Sequence, residues 1–326
     1  MGIKEITNIK DRIINGGVLT KAEALELLGN PNFGAFYRAA NEIREYFKGN
    51  IFDVCSIENA KSGACSEDCK WCSQSAHNNA NVDVYELVDT DLAVSMAKKN
   101  ERYGVKRYSL VTSGRAVSDK NLDQLCETYN IIRKESKIGF CASMGLLSKE
   151  QLYKLKEVGI EHYHCNLESS RRFFPEVCST HTYDEKILTL KTAQNLGIGI
   201  CSGGIIGMGE TMEDRVDMAF ELRNLNVQSI PLNILNPVEG TPLGKNTPLS
   251  KQEILSTIAI FRFINPNANI RFAGGRNMMK DFQEEALLTG INSAVVGDML
   301  TTTGSSGVAE DLKNFRKAGF VIPENK

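Results

Sequence analysis

The sequence changes character at residues 51–57, which read IFDVCSI. Before this stretch, residues 1–50 carry apolar side chains at helical spacing, and Thr20 with Glu23 forms a capping signal for one helix. After it, short apolar runs rich in β-branched residues alternate with longer amphipathic stretches. This alternation is typical of strand–helix units arranged around a parallel sheet.

Eight apolar runs predict eight strands, which is the number that closes a TIM-type barrel. We place the strands near residues 51–57, 106–113, 138–144, 161–168, 199–206, 229–235, 269–274 and 293–297. The stretches between them predict helices near residues 89–103, 119–136, 148–158, 183–196, 211–225, 250–264 and 277–289. Capping signals begin three of these helices: Ser148 before Glu150, Thr211 before Asp214 and Ser250 before Glu253.

No linker rich in Pro, Gly or Ser divides the sequence. We therefore predict an α/β fold, a TIM-type (β/α)8 barrel at residues 51–297 with an N-terminal helical extension at residues 1–50. A C-terminal tail with a short helix, residues 298–326, belongs to the same domain. A doubly wound open sheet is the alternative, because a strand count from one sequence can be wrong by one.

The composition limits the functions that this chain can have. The 326 residues include 38 basic and 40 acidic side chains, so the formal net charge is −2 and no general attraction to phosphate backbones or anionic lipid is built in. No apolar run approaches the ~20 residues that span a bilayer, and the first residues lack the pattern of a signal peptide. We expect a cytoplasmic protein that binds neither nucleic acid nor membranes.

Nine cysteines, an odd number, indicate metal ligation rather than a secreted disulfide framework. Cys65, Cys69 and Cys72 form a CxxxCxxC in the loop after the first predicted strand. Three thiolates on a short loop suit a [4Fe–4S] cluster and leave one iron open to a ligand that is not protein. A zinc site is the alternative, but structural zinc normally takes four ligands. His77 is the one candidate nearby, and we assign none of the four histidines to a metal.

Motifs around this loop resemble the biotin synthases, a family of radical S-adenosylmethionine (SAM) enzymes. In order, they are residues 61–75 (KSGACSEDCKWCSQS), 166–168 (NLE), 201–211 (CSGGIIGMGET), 240–243 (GTPL) and 300–302 (LTT). The resemblance implies a barrel in which SAM binds the open iron and is cleaved to methionine and a 5′-deoxyadenosyl radical. The radical would take hydrogen from dethiobiotin, and an auxiliary iron–sulfur cluster would supply the sulfur of biotin.

The resemblance also implies residue roles and partners. Cys65, Cys69 and Cys72 would hold the reducing cluster. SAM would contact Trp71, Asn166, Glu168, Lys186 and Ile205, and dethiobiotin would contact Asn166, Asn233, Thr301 and Thr302. A flavodoxin- or ferredoxin-type electron donor and a homodimeric assembly are further implications of the family.

The auxiliary cluster is where the sequence departs from the family pattern. The commoner members hold a two-iron cluster with three cysteines and an arginine, and Cys141, Cys201 and Arg271 match three of these positions. Ser109 stands where the second-strand cysteine should be, and a hydroxyl is a poorer iron ligand than a thiolate. We expect Cys55 on strand one to replace it, because strands one and seven flank strand eight. The cluster is then a [2Fe–2S] or a four-iron type.

Other thiols and charges have simpler interpretations. Cys165 and Cys178 stay open as auxiliary ligands, although strand alternation points Cys165 outward. Cys126 is expected to be buried packing on a helix. Arg107 and Arg115 near the second strand could be solvated charges.

The glycines of residues 203–209 suggest a dinucleotide loop, but position 212 is Met212 rather than the glycine that such a loop needs. We expect a glycine-rich strand end that lets a ligand approach the backbone.

Two other functions remain open at this point. One is another radical SAM enzyme of the same branch, a hydrogenase-cofactor maturase or a methylornithine-forming mutase, which Ser109 keeps possible. The other is a non-catalytic iron–sulfur carrier, which would not need Asn166, Glu168 and Lys186. Asn233 and the GTPL motif favour sulfur insertion.

Overall fold

The computed structural model describes residues 1–297, 299–300, 303–304 and 307–323. It opens with three helices, α1 (Ile3–Ile14), α2 (Lys21–Leu28) and α3 (Phe33–Lys48). In the described part of the chain, no helix is long and apolar enough to cross a membrane.

The strands of the sheet follow these helices. Their bounds are β1 (Asp53–Lys61), β2 (Arg107–Thr112), β3 (Gly139–Ser143), β4 (Ile160–His164), β5 (Gly199–Cys201), β6 (Gly204–Ile206), β7 (Ser229–Ile234), β8 (Asn269–Phe272) and β9 (Ser293–Val296). All pairings among them are parallel, and β5 and β6 are two segments of the fifth barrel strand. Because β5 contacts β4 on one side and β7 on the other, the sheet closes. A short hairpin, β10 (Met299–Leu300) and β11 (Thr303–Gly304), follows.

Helices form the outer layer. They are α4 (Thr90–Arg102), α5 (Asp119–Glu135), α6 (Lys149–Glu157), α7 (Phe174–Val177), α8 (Tyr183–Asn195), α9 (Met212–Asn224), α10 (Lys251–Ile264), α11 (Gln283–Leu287) and α12 (Val308–Lys317). The N-terminal helices pack against α9 and α10, so their apolar faces join the core between barrel and helices. Ser148, Thr211 and Ser250 cap α6, α9 and α10 as predicted, and Gln151 completes the capping box of Ser148.

The structure confirms the TIM-type (β/α)8 barrel with N-terminal helices and excludes the doubly wound sheet. The division of the chain at residues 50 and 297 stays a prediction. β4 ends at His164 and not near residue 168, because Glu168 has a left-handed φ of +71°, which a strand does not hold. The helix predicted at 277–289 is a 3-10 turn (Arg276–Met279) followed by α11, because the backbone leaves helical geometry at Phe282, where φ is −140° and ψ is 23°.

The fifth strand is interrupted where two glycines meet neighbouring backbone. A Cβ on Gly203 would lie 1.9 Å from the Pro231 carbonyl oxygen, and one on Gly204 would lie 2.5 Å from the Glu168 carbonyl oxygen. Neighbouring backbone therefore already requires glycine at both positions, and the approach of a ligand to this strand end stays a prediction. Without a side chain, these glycines let the backbone of β7 and of the turn after β4 approach closely, and this close approach allows the barrel to close.

Replacing Gly203 by alanine should lower the free energy of unfolding by about 3 kcal/mol, because the methyl group would overlap rigid backbone. Gly34→Ala is the matched control: it lies in α3, where a Cβ meets only the Arg38 side chain at 3.4 Å, and it should be neutral or stabilising by ~0.5 kcal/mol. Urea denaturation of the two variants measures the difference. Equal effects would contradict this account of barrel closure.

Candidate functional site

The barrel encloses a cavity of about 360 Å³ that continues beneath the loops following its strands. Its floor is lined by Cys55, Ser109, Cys141, Cys201 and Arg271. Its upper wall is formed by Trp71, Cys72, Asn166, Glu168, Ile205 and Asn233. Most of the residues predicted from the sequence thus face one chamber.

The CxxxCxxC loop is held in shape by its own backbone. The side-chain amide of Asn78 donates through Nδ2 to the backbone carbonyl oxygens of Cys69 and Cys72 at 3.1 and 2.8 Å. Cys65 also exchanges backbone hydrogen bonds with Gln74 and Ala76. Cys72 lines the cavity, while Cys69 turns toward Cys178 on the segment after α7, with a sulfur–sulfur distance of 3.7 Å. Three thiols on one ordered loop fit a [4Fe–4S] cluster by ligand chemistry.

The turn after β4 carries the polar groups of the upper wall. The Gly203 amide donates to Asn166 Oδ1 at 3.0 Å, and the Ile205 amide donates to the Glu168 carbonyl oxygen at 2.8 Å. Glu168 is partly buried, desolvation raises its pKa, and its buried Oε2 has no hydrogen-bond partner among the described residues. A buried acceptor without a partner at the wall of a cavity fits a ligand that supplies hydroxyl groups there.

An apolar cluster stands beside this carboxylate. Trp71 and Ile205 pack with Val177, Met208 and Leu235, and Trp71 also packs against the main core. The cluster offers flat and branched apolar surface at the cavity wall, which suits an aromatic ring system such as adenine.

Lys186 lies on α8, outside the cavity lining. Its Nζ is 5.5 Å from the centre of the Phe174 ring, and the side chain is buried. Burial by itself would lower the pKa of Lys186, but Cys165 and Glu168 raise it above the usual value. The lysine therefore stays charged behind the wall that Glu168 forms.

Asn233 is tied to backbone at both ends of its amide. Its Nδ2 donates to the Gly204 carbonyl oxygen at 3.1 Å, and its Oδ1 accepts from the Gly274 amide at 2.8 Å. One N–H and one lone pair remain for a ligand. Thr301 and Thr302 lie outside the described residues.

Hydrogen bonds and ion pairs connect Arg271 with Cys55 and, through Ser229, with Cys201 on the cavity floor. Arg271 donates to Cys55 Sγ at 3.1 Å and to the Asp53 carboxylate, which also accepts from Arg107 at 2.5 Å. Cys201 Sγ lies 3.3 Å from Ser229 Oγ, which accepts from Arg271 Nε at the same distance. Three thiols beside a buried guanidinium therefore converge from four strands.

Burial controls the protonation of this floor. It raises the pKa values of Cys55, Cys141 and Cys201, so the thiols are neutral until a metal displaces their protons. Burial by itself would also raise the pKa of Asp53, but Arg271 and Arg107 outweigh it and hold that pKa below its usual value.

Comparisons with known proteins agree with this arrangement. Residues 60–222 match the radical SAM superfamily, and residues 231–321 match the biotin and thiamin synthesis associated domain. A biotin synthase from Clostridium botulinum is 49% identical over 320 residues, which cover 98% of this chain and 100% of that protein. One from Parabacteroides distasonis is 49% identical over 98% of both chains. This chain belongs to the biotin synthase family.

Solved structures similar to this biotin synthase family member share its fold at low identity. Methylornithine synthase superposes with a TM-score of 0.82 at 18% identity, covering 96% of each chain. The FeFe-hydrogenase maturase from Carboxydothermus hydrogenoformans gives 0.81 at 18% identity, covering 97% of this chain and 79% of that one. At these identities the likeness concerns the barrel alone.

Sequence reasoning missed some residues of the site. His164 faces the cavity with Nδ1 3.4 Å from Cys201 Sγ, and burial lowers its pKa to about 4. Its position two residues before Asn166 placed it on the same strand face, and that alternation was the available signal. Arg107 is not a solvated charge, because the Asp53 carboxylate binds it inside the barrel. Arg115 does lie at the surface, paired with Glu185.

The Asp53→Asn variant should lower the free energy of unfolding by about 3–5 kcal/mol at neutral pH, because Arg107 and Arg271 would be left without their shared negative charge. The pKa of Asp53 is lowered from its ordinary value of 3.8 in the folded protein. The difference between wild type and variant should therefore be complete above that value and shrink as the pH falls through the folded pKa.

Asp123→Asn serves as the control, since Asp123 is 61% exposed and pairs with Lys154 on the surface. It should change stability by less than about 1 kcal/mol. Urea denaturation at neutral and acidic pH measures both variants. A loss for Asp53→Asn that does not depend on pH would contradict the ionic role of Asp53.

Proposed function

We propose that this chain makes biotin by inserting sulfur into dethiobiotin in a SAM-dependent radical reaction. The observation that carries the proposal is the full-length identity of 49% to biotin synthases, together with one cavity that joins the CxxxCxxC loop to a floor of thiols. The test is anaerobic incubation of the iron-loaded protein with dethiobiotin, SAM and dithionite. Formation of both biotin and 5′-deoxyadenosine is expected. Cleavage of SAM without biotin would contradict the proposal.

Cys65, Cys69 and Cys72 would hold the reducing [4Fe–4S] cluster, with Cys72 nearest the cavity. When bound, this cluster supplies the electron that cleaves SAM into methionine and a 5′-deoxyadenosyl radical. The chain's own task is to exclude water and other reactants around such a radical. The buried cavity and its apolar wall at Trp71 and Ile205 support that task.

Asn166 and Glu168 would orient SAM from the turn after β4. The Glu168 carboxylate would accept hydrogen bonds from the ribose hydroxyls, which supplies the partner that its Oε2 lacks among the described groups. Lys186 would balance the methionyl carboxylate by charge from behind the wall. The left-handed backbone at Glu168, held by the Ile205 amide, fixes the direction of this side chain.

Dethiobiotin would lie between SAM and the thiol floor. Asn233 retains one donor and one acceptor for the ureido ring, and Asn166 adds a second amide nearby. The roles assigned to Thr301 and Thr302 at the substrate carboxylate stay predictions. A flavodoxin- or ferredoxin-type electron donor, a homodimeric assembly and a cytoplasmic location also belong to the proposal.

Cys55, Cys141 and Cys201 with Arg271 would hold the auxiliary cluster that donates sulfur. The hydrogen bond from Arg271 to Cys55 supports this set over Cys165, which is not part of the described cavity lining. Cys178 is turned to Cys69, away from the floor. Ser109, beside Cys141 in register, also lines the cavity and would contact a cluster larger than two irons.

Glu168→Ala should weaken SAM binding about 10- to 100-fold, because charge-assisted hydrogen bonds to the ribose would be lost. The matched control is Glu161→Ala, an exposed carboxylate on β4 that points away from the barrel interior. Equilibrium binding of SAM to both iron-loaded variants measures the effect. Unchanged affinity in Glu168→Ala would place SAM elsewhere.

Cys55→Ser should reduce biotin formation at least about 100-fold while leaving reductive cleavage of SAM intact, because the CxxxCxxC loop is untouched. Cys126→Ser on α5 removes a thiol far from the floor and should change neither reaction. The iron content of the wild type should be about six per chain with a two-iron auxiliary cluster or about eight with a four-iron one. In Cys55→Ser it should fall toward about four per chain. Full iron content with normal biotin yield would exclude Cys55 as a ligand.

A further inference from the structure

Outside the thiol floor, one group of metal-binding side chains is already assembled. In the described part of the chain, the ligand atoms of Cys69, Cys178 and His181 are the one set of three His, Cys, Asp or Glu side chains within 4.8 Å of one another. Cys178 Sγ lies 3.7 Å from Cys69 Sγ, 3.4 Å from His181 Nδ1 and 3.9 Å from His181 Nε2. The function proposed above uses neither Cys178 nor His181.

The distances of 3.7 Å between the two sulfur atoms and 3.9 Å from Cys178 Sγ to His181 Nε2 are close to those between neighbouring ligands of a tetrahedral metal ion. Zinc binds thiolate sulfur at about 2.3 Å and imidazole nitrogen at about 2.0 Å, which puts neighbouring ligand atoms roughly 3.5–3.8 Å apart. Two thiols and an imidazole are ligands that zinc and cobalt prefer over the hard oxygen donors that suit magnesium and calcium.

The histidine is oriented for this task. The Glu67 carboxylate lies 2.5 Å from His181 Nδ1 and accepts its proton, which leaves Nε2 free to bind a metal. Thr180 donates to the same carboxylate at 2.7 Å and so fixes its position. This carboxylate–histidine pair is the usual support of a zinc-binding imidazole.

Backbone contacts hold the two halves of the group together. The Lys70 amide donates to the Val177 carbonyl oxygen at 2.9 Å, and the Asp68 carboxylate accepts from the amides of Ser179 and Thr180 at 2.9 and 3.2 Å. Cys178 and His181 are both buried. The group is therefore ordered by contacts that do not depend on a bound metal.

We propose that Cys69, Cys178 and His181 bind a zinc-type divalent ion in the cluster-free protein, and that this ion competes with assembly of the reducing cluster. Cys69 cannot bind the ion and the reducing cluster at the same time. Its sulfur lies with Cys178 and His181 in the assembled group, whereas the cluster needs it beside Cys65 and Cys72. The competition rests on the proposed role of Cys69 as a cluster ligand, whereas metal binding itself does not. Water would complete the coordination of the ion.

Cobalt binding to the cluster-free protein tests the site. The background variant replaces Cys65, Cys72 and Cys201 by serine, so that neither the CxxxCxxC loop nor the floor keeps three thiols. It should bind one Co²⁺ per chain with a thiolate-to-cobalt charge-transfer band. Adding Cys178→Ala, or separately His181→Ala, should weaken binding at least 100-fold, whereas adding Cys126→Ala should not. Loss of binding in the background variant, or no effect of both added changes, would overturn the proposal.

Zinc inhibition tests the competition. One equivalent of Zn²⁺ should slow reconstitution of the reducing cluster in wild type, followed by its absorbance, and Cys178→Ala should relieve that inhibition. Equal inhibition of both proteins would show that zinc acts elsewhere. Biotin formation by zinc-free reconstituted wild type is measured separately, so a failure of the proposed function is distinguished from a failure of this site.

Discussion

The shared carboxylate of Asp53 is the constraint on which the barrel interior depends. A closed parallel barrel normally fills its centre with branched apolar side chains, but here two guanidiniums, Arg107 and Arg271, enter it from β2 and β8. The Asp53 carboxylate on β1 binds both guanidiniums, and its negative charge offsets their mutual repulsion. Arg271, only 2% exposed, can then direct its remaining donors to Cys55 and to backbone. The thiol floor is thus built on three charges, those of Asp53, Arg107 and Arg271, that the barrel largely desolvates.

The upper wall depends on close backbone approach. Gly203 and Gly204 let the fifth strand pass against Pro231 and against the turn that ends at Glu168. That turn presents a carboxylate with an unused oxygen to the cavity, while Asn166 and Asn233 use part of their hydrogen-bonding capacity to hold neighbouring strands together. Side chains that we propose to contact a ligand therefore also hold the surrounding strands together. Substituting them affects both the site and these strands, which is why the exposed Glu161 on β4 is a useful reference.

Much of the fold and part of the site could be predicted from local pattern. Strand–helix alternation predicted the barrel, and the spacing of three cysteines on one loop predicts a reducing cluster there. Each of these signals lies within a short, continuous stretch of sequence. The break in the fifth strand and the early end of β4 could not be read this way. They arise where one strand meets another, at Gly203 against Pro231 and at the left-handed Glu168.

The sequence by itself determined the fold class, the family and which cysteines are candidate cluster ligands. These follow from periodicity and from long contiguous motifs. Only the tertiary structure decided which charged and thiol groups meet. Arg107 reads as an ordinary surface charge until β1 places Asp53 beside it. Cys178 and His181 read as unrelated residues of a loop until that loop docks on Cys69 and Glu67. These contacts join residues 54 to 114 positions apart. They have no local signature, because they depend on barrel closure and not on neighbouring sequence.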